Sequence, residues 1–65
     1  MIDINIAEAE ILSALPGIGP TLAQRIIDYR ETYGDFYYIE DIMNVPGIGP
    51  DTFENIKDLI MTGYE

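Results

Sequence analysis

Apolar and polar positions change period several times along this chain. Met1 to Ile6 alternates apolar and polar residues, but the run is too short to stand as a strand and is predicted as an extended lead-in. Asn5 then reads as the N-cap of a helix over about Ala7–Ala14, with Glu8 in capping-box position. Leu12 and Leu15 are its expected core contacts, with Ala9 or Ile11 beside them. From Pro20 to about Thr32, Leu22, Ala23, Ile26, Ile27, Tyr29 and Tyr33 recur at helical spacing, while Gln24, Asp28 and Glu31 fall on the opposite face. Gly34 is placed to end that helix. Asp35 to Tyr38 make a connector, anchored by Phe36. A short helix over about Ile39–Asn44 turns Ile39, Ile42 and Val45 inward. A last helix is predicted from Pro50 to about Met61, with Phe53, Ile56, Leu59 and Ile60 inside and Gly63 closing it.

One stretch occurs twice. Leu15-Pro16-Gly17-Ile18-Gly19-Pro20 returns as Val45-Pro46-Gly47-Ile48-Gly49-Pro50, at an offset of 30 residues. Gly17 and Gly19 can both adopt positive φ and let backbone approach backbone. Pro20 and Pro50 suit the first helical position, where a proline's missing N–H is not needed. Ile18 and Ile48, each between two glycines, are expected to point into the core. The pattern predicts an all-α domain of four or five short helices built from two pseudo-symmetric units: one over about residues 7–32, a connector over 33–38, and one over about 39–61. Neither unit has enough apolar surface to stand alone.

Composition narrows this picture. The chain has 65 residues and is 48% apolar, which suits one small domain with a modest core. It has no cysteine, so no disulfide staples it. No apolar run approaches the roughly 20 residues of a membrane span, and the start lacks the basic region of a signal peptide. A cytoplasmic location is expected if the chain is complete. Arg25, Arg30 and Lys57 face twelve carboxylates, a formal charge of −9. Such a chain repels polyanions on average beyond a Debye length of about 10 Å at 0.1 M salt, whereas nucleic-acid binders usually carry a basic face. With no histidine and no cysteine, the commonest general base and thiolate sites are missing, so no catalytic residue and no enzyme activity are expected.

The chemistry that remains belongs to the backbone. The first N–H groups of the helices starting at Pro20 and Pro50 have no intrahelical partner. Together with the helix dipole they favour an anion, and the glycines leave room for a phosphate. The same geometry also serves as a plain helix connector. Two such hairpins in one body suit a duplex gripped by its phosphates, a contact that positions without reading bases.

Taken with these hairpins, Ile4-Asn5-x-Ala7, Leu12-x-x-Leu15, Ile26-Ile27-Asp28-Tyr29-Arg30 and Phe36-x-x-Ile39-Glu40-Asp41-Ile42 resemble the ComEA-type tandem helix-hairpin-helix domain, over about residues 2–61. The resemblance implies a compact, SAM-like domain of about five helices that contacts phosphates of double-stranded DNA without sequence preference. It implies contacts from the amides of Gly17, Gly19, Gly47 and Gly49 and the residues just after them, Ile18 and Ile48 included. It also implies hairpin carbonyls able to hold a monovalent cation, as some family hairpins do, and an extracytoplasmic setting if the domain is cut from a ComEA-like receptor. The family often places Lys or Arg near the hairpin and along the last helix, where this chain has Leu22, Asp51 and Asn55. A basic residue is also common where Tyr37 sits, and an acidic one where Ile11 sits.

Asp51 occupies the electrostatic niche a phosphate would use, so hairpin two reads as a structural copy. Hairpin one is the better phosphate site, with the Thr21 hydroxyl beside it and Arg25 one turn further on. Lys57 is a further phosphate candidate, with Glu54 or Asp58 as its alternative partner. Arg30 has Glu31 or Asp35 within reach. Tyr29 and Phe36 read as core. Tyr37 and Tyr38, with Ile6, Ile11 and Met43, could instead form an apolar patch for a protein contact. Two partners therefore stay open: double-stranded DNA, bound weakly and non-specifically, or a protein docked on the same scaffold with its DNA face lost. A monomer is expected in either case.

Overall fold

The computed structural model describes all 65 residues. It contains β1 (Ile2–Asp3), α1 (Ala9–Leu12), α2 (Pro20–Tyr33), a 3-10 helix (Ile39–Asn44), α3 (Pro50–Ile56) and β2 (Ile60–Met61). The protein is mostly helical, as expected, with one small addition: β1 and β2 pair in parallel, Ile2 opposite Ile60 and Asp3 opposite Met61.

The duplication sets the core. Leu12, Leu15, Ile18 and Ile26 are all buried, and so are their counterparts 30 positions on, Ile42, Val45, Ile48 and Ile56. Ile4, Ala23, Phe36 and Ile60 complete the cluster. Side chains of this size each contribute about 1.5–3 kcal/mol when fully buried. The two units thus share one interior, to which each hairpin donates its central isoleucine. Phe36 anchors the connector as expected, and Tyr29 stacks on it with ring centroids 5.3 Å apart.

Three local expectations are corrected. Asn5 does not cap the first helix, which is shorter than its pattern implied: α1 begins at Ala9, with Glu8 in the cap position and no side-chain cap. The Asn5 side chain instead ties three parts of the chain together. Its Nδ2 donates to the carbonyls of Phe36 and Thr62, at 2.9 and 3.1 Å, and its Oδ1 accepts the Phe36 N–H at 2.7 Å. Those partners lie 31 and 57 positions away, beyond the reach of a local pattern.

The last helix stops at Ile56, not near Met61. Leu59 N–H donates to the Ile56 carbonyl at 2.8 Å in a turn, after which the chain extends. Ile2 N–H then donates to Leu59 and Ile4 N–H to Met61, at 2.8 and 3.0 Å. Ile2, Ile4 and Ile60 are β-branched and pack well on an extended surface, and this tertiary pairing overrides the helical period. Leu59 is consequently exposed, while Ile60 is buried.

Tyr33 is the third departure. It ends α2 and is 73% exposed, resting on Tyr29 at a centroid distance of 4.6 Å, so it lies outside the core.

Candidate nucleic-acid interface

Each hairpin is built the same way. After Leu15 and Pro16 the backbone turns through Gly17, at φ +80°, and the Ile18 N–H closes the turn on the Leu15 carbonyl at 3.0 Å. Hairpin two repeats this with Gly47, at φ +97°, and Ile48 N–H on the Val45 carbonyl at 3.0 Å. Only the first glycine of each pair needs the left-handed region. Gly19 and Gly49 are ordinary extended residues, φ −91° and −103°, and their carbonyls accept the first helical bonds from Ala23 and Phe53.

This bonding sorts the candidate amides. Those of Ile18 and Ile48 are spent inside their own turns, and both side chains are buried. They are corrected from direct donors to struts. The amides of Gly17, Gly19 and Thr21 have no acceptor within the protein, and neither do those of Gly47, Gly49 and Asp51. All but Gly49, which is half-buried, belong to exposed residues. Thr21 sits in the first turn of α2 beside the free Gly19 amide, as expected. Asp51 sits in the first turn of α3, at the matching place in hairpin two.

The hairpins also cross. A Cβ added to Gly17 would meet Thr52 Cγ2 at 3.7 Å, and one added to Gly47 would meet Leu22 Cδ2 at 2.7 Å. Leu22 and Thr52 are 30 residues apart, as are Gly17 and Gly47, so each hairpin rests on the same position of the other unit's helix.

That crossing relocates the cations. Arg25 was expected near hairpin one. Its Nη1 donates to the Pro46 carbonyl at 3.1 Å and lies 3.0 Å from the Cβ position of Gly47, so its charge stands at hairpin two. A guanidinium there satisfies one of the carbonyls that a cation would seek at that bend. Arg30 finds neither Glu31 nor Asp35; its Nη1 donates to the Ile4 carbonyl at 3.0 Å. Lys57 caps the far end of α3, seven residues beyond Pro50 and so about 10 Å from the hairpin by helical rise. It pairs with Glu54, whose hydrogen bond and charge raise the ammonium above the usual lysine value. Lys57, a phosphate candidate in the sequence, thus stands apart from the hairpin amides, at the other end of α3. The cross-unit placement of Arg25 was not legible in the sequence. The repeat offset was the only signal for it, once combined with knowledge of how the units dock.

This architecture can be set against known proteins. Residues 1–61 match the family model described as helix-hairpin-helix motif. ComE operon protein 1 of Bacillus subtilis is 48% identical over 60 residues, which cover 92% of this chain and 29% of that protein. An uncharacterized protein of Haemophilus influenzae is 43% identical over 61 residues, 92% of this chain and 54% of its own length. Endonuclease/exonuclease/phosphatase family domain-containing protein 1 of Xenopus laevis is 41% identical over 56 residues, 86% of this chain but 10% of that protein. The chain thus spans at most about half the length of these relatives. With its paired hairpins, its shared core and a match over nearly its whole length, the chain belongs to the helix-hairpin-helix family and is a domain of the ComEA type, a nucleic-acid-binding class.

Proposed function

We propose that this domain is a non-catalytic module that binds double-stranded DNA by its phosphates, without reading bases and with low affinity. The observation that carries the proposal is the set of unbonded amides at both bends of one rigid body: Gly17, Gly19 and Thr21 at one, Gly47, Gly49 and Asp51 at the other. Peptide N–H groups at a helix start suit phosphate oxygens, and such contacts carry no sequence information.

Low affinity follows from the charges. The three cations are already engaged, Arg25 and Arg30 with carbonyls and Lys57 with Glu54, against a formal charge of −9. At hairpin two, the Asp51 carboxylate competes for the position a phosphate would take, and the Arg25 guanidinium partly offsets it. Hairpin one has no carboxylate in its first turn, which makes it the stronger contact.

Titration of labelled duplex at about 20 mM and 200 mM salt tests this reading. The apparent association constant is expected to fall with a log–log slope near −0.9 per phosphate contacted, equally for duplexes of unrelated sequence. Absence of binding at the lower salt would remove the proposal.

A further inference from the structure

Apart from the Lys57–Glu54 pair the structure contains no ion pair, so every other carboxylate is left without an ionic partner. Against that background stand Tyr37, Tyr38 and Tyr64, all exposed, where the connector meets the C-terminal tail. Tyr37 and Tyr64 meet edge to face, with centroids 5.0 Å apart and planes at 72°. The Tyr64 hydroxyl donates to the Asp35 carboxylate at 2.7 Å. Beneath them, Thr62 Oγ1 donates to the Tyr37 carbonyl at 3.0 Å and accepts the Tyr64 N–H at 3.1 Å. The Tyr37 and Tyr64 rings are thus held in place while facing solvent, which lowers the ordering cost of docking on them.

Burial does not account for these rings, and an exposed aromatic group on a small domain marks a contact surface. The neighbouring charges name the partner. The carboxylate of Asp35 is on Tyr64, that of Asp41 accepts the Tyr38 N–H at 3.1 Å, and that of Glu65 accepts the Ile39 N–H at 2.7 Å. Each is bonded to a neutral donor and has no cation paired with it. A polyanion is repelled here, and an uncharged apolar surface would desolvate the carboxylates without replacing their water. A guanidinium does both jobs at once: its plane stacks on a phenol ring while its fork meets a carboxylate, which an ammonium does not match.

We propose that this tyrosine face docks an arginine-bearing segment of a partner protein. The inference is independent of DNA binding. The face lies at the other end of the 3-10 helix from hairpin two, about 12 Å away by the rise of that helix.

An amide chemical-shift titration of the full chain, with a nona-arginine and a nona-lysine peptide, tests it. Shifts are expected to concentrate at residues 35–39 and 62–65, with the arginine peptide bound about fivefold more tightly or better. The double variant Tyr37→Ala/Tyr64→Ala should lose about tenfold in affinity for the arginine peptide, with circular dichroism verifying its fold. Tyr37→Phe/Tyr64→Phe keeps the rings and should bind almost as wild type. Shifts spread evenly over the acidic faces of α1 and α3, equal affinity for the two peptides, or unchanged affinity in the alanine variant would each overturn the proposal.

Discussion

At Gly47 two demands coincide. The residue sits at φ +97°, and its missing side chain leaves the space that Leu22 and Arg25 fill. Gly17 meets only the first demand, since Thr52 leaves van der Waals room beside it. Gly17→Ala should therefore cost about 1–2 kcal/mol for the left-handed conformation alone. Gly47→Ala should cost about 2–4 kcal/mol, because overlap with Leu22 is added. Urea unfolding of both variants checks the difference. Leu22→Ala combined with Gly47→Ala should recover part of the loss, as a positive coupling in a double-mutant cycle. Asn5 carries another concentrated role. Asn5→Ala strips three hydrogen bonds and leaves the Phe36 N–H without its acceptor. A loss of about 1–3 kcal/mol is expected in the same assay.

Among the elements, α2 and α3 play equivalent parts in the repeat but carry unequal charges. Arg25 reaches hairpin two from α2, whereas Asn55, its counterpart on α3, brings no charge to hairpin one. Asn55→Arg should place a second guanidinium by the Pro16 bend, tighten duplex binding and steepen the salt slope by about 0.9. Arg25→Glu should weaken binding and Asp51→Lys should strengthen it; unchanged affinity in both would remove the hairpins from the contact. The elements also separate what periodicity can reveal from what it cannot. The start of α2 at Pro20, the ends of the 3-10 helix and the inward direction of Ile18 and Ile48 followed from proline, glycine and apolar spacing, which act locally. The end of α3 did not, because Ile60 satisfies a helical period and a strand equally well and only its pairing with Ile2 decides. The task of Asn5 and the targets of Arg25 and Arg30 were hidden for a related reason: each bonds a carbonyl at least 21 positions away. Within the candidate interface, the unbonded state of the Gly17 and Gly19 amides could be anticipated from the repeat. The loss of the Ile18 amide to its own turn emerged only from the geometry.

For the molecule as a whole, charge sets opposite responses to salt. Self-repulsion at −9 is screened as ionic strength rises. The midpoint of thermal unfolding should therefore climb between about 20 mM and 200 mM NaCl, over the range in which duplex binding declines. Alkali acts in one direction. Glu54 raises the pKa of Lys57, and Asp35, through its hydrogen bond and its charge, raises that of the Tyr64 phenol. Both groups hold their protons more tightly folded than unfolded, so their stabilisation is complete below the ordinary tyrosine and lysine values near 10 and is lost as pH rises through the raised ones. Urea midpoints should be level from about pH 7 to 9 and fall above about pH 10, with a smaller fall in Tyr64→Phe.

Parallel pairing of β1 with β2 sends both strands the same way, and it is the tail after β2 that turns back, its Glu65 carboxylate accepting the Ile39 N–H. Met1 and Glu65 both line one hollow, together with Ile39 and Lys57, so the two ends of the chain lie on the same side of the body. Polypeptide joined at either end would thus leave from one side of the body, and a glycine bridge between the ends should close the chain into a ring without disturbing either bend.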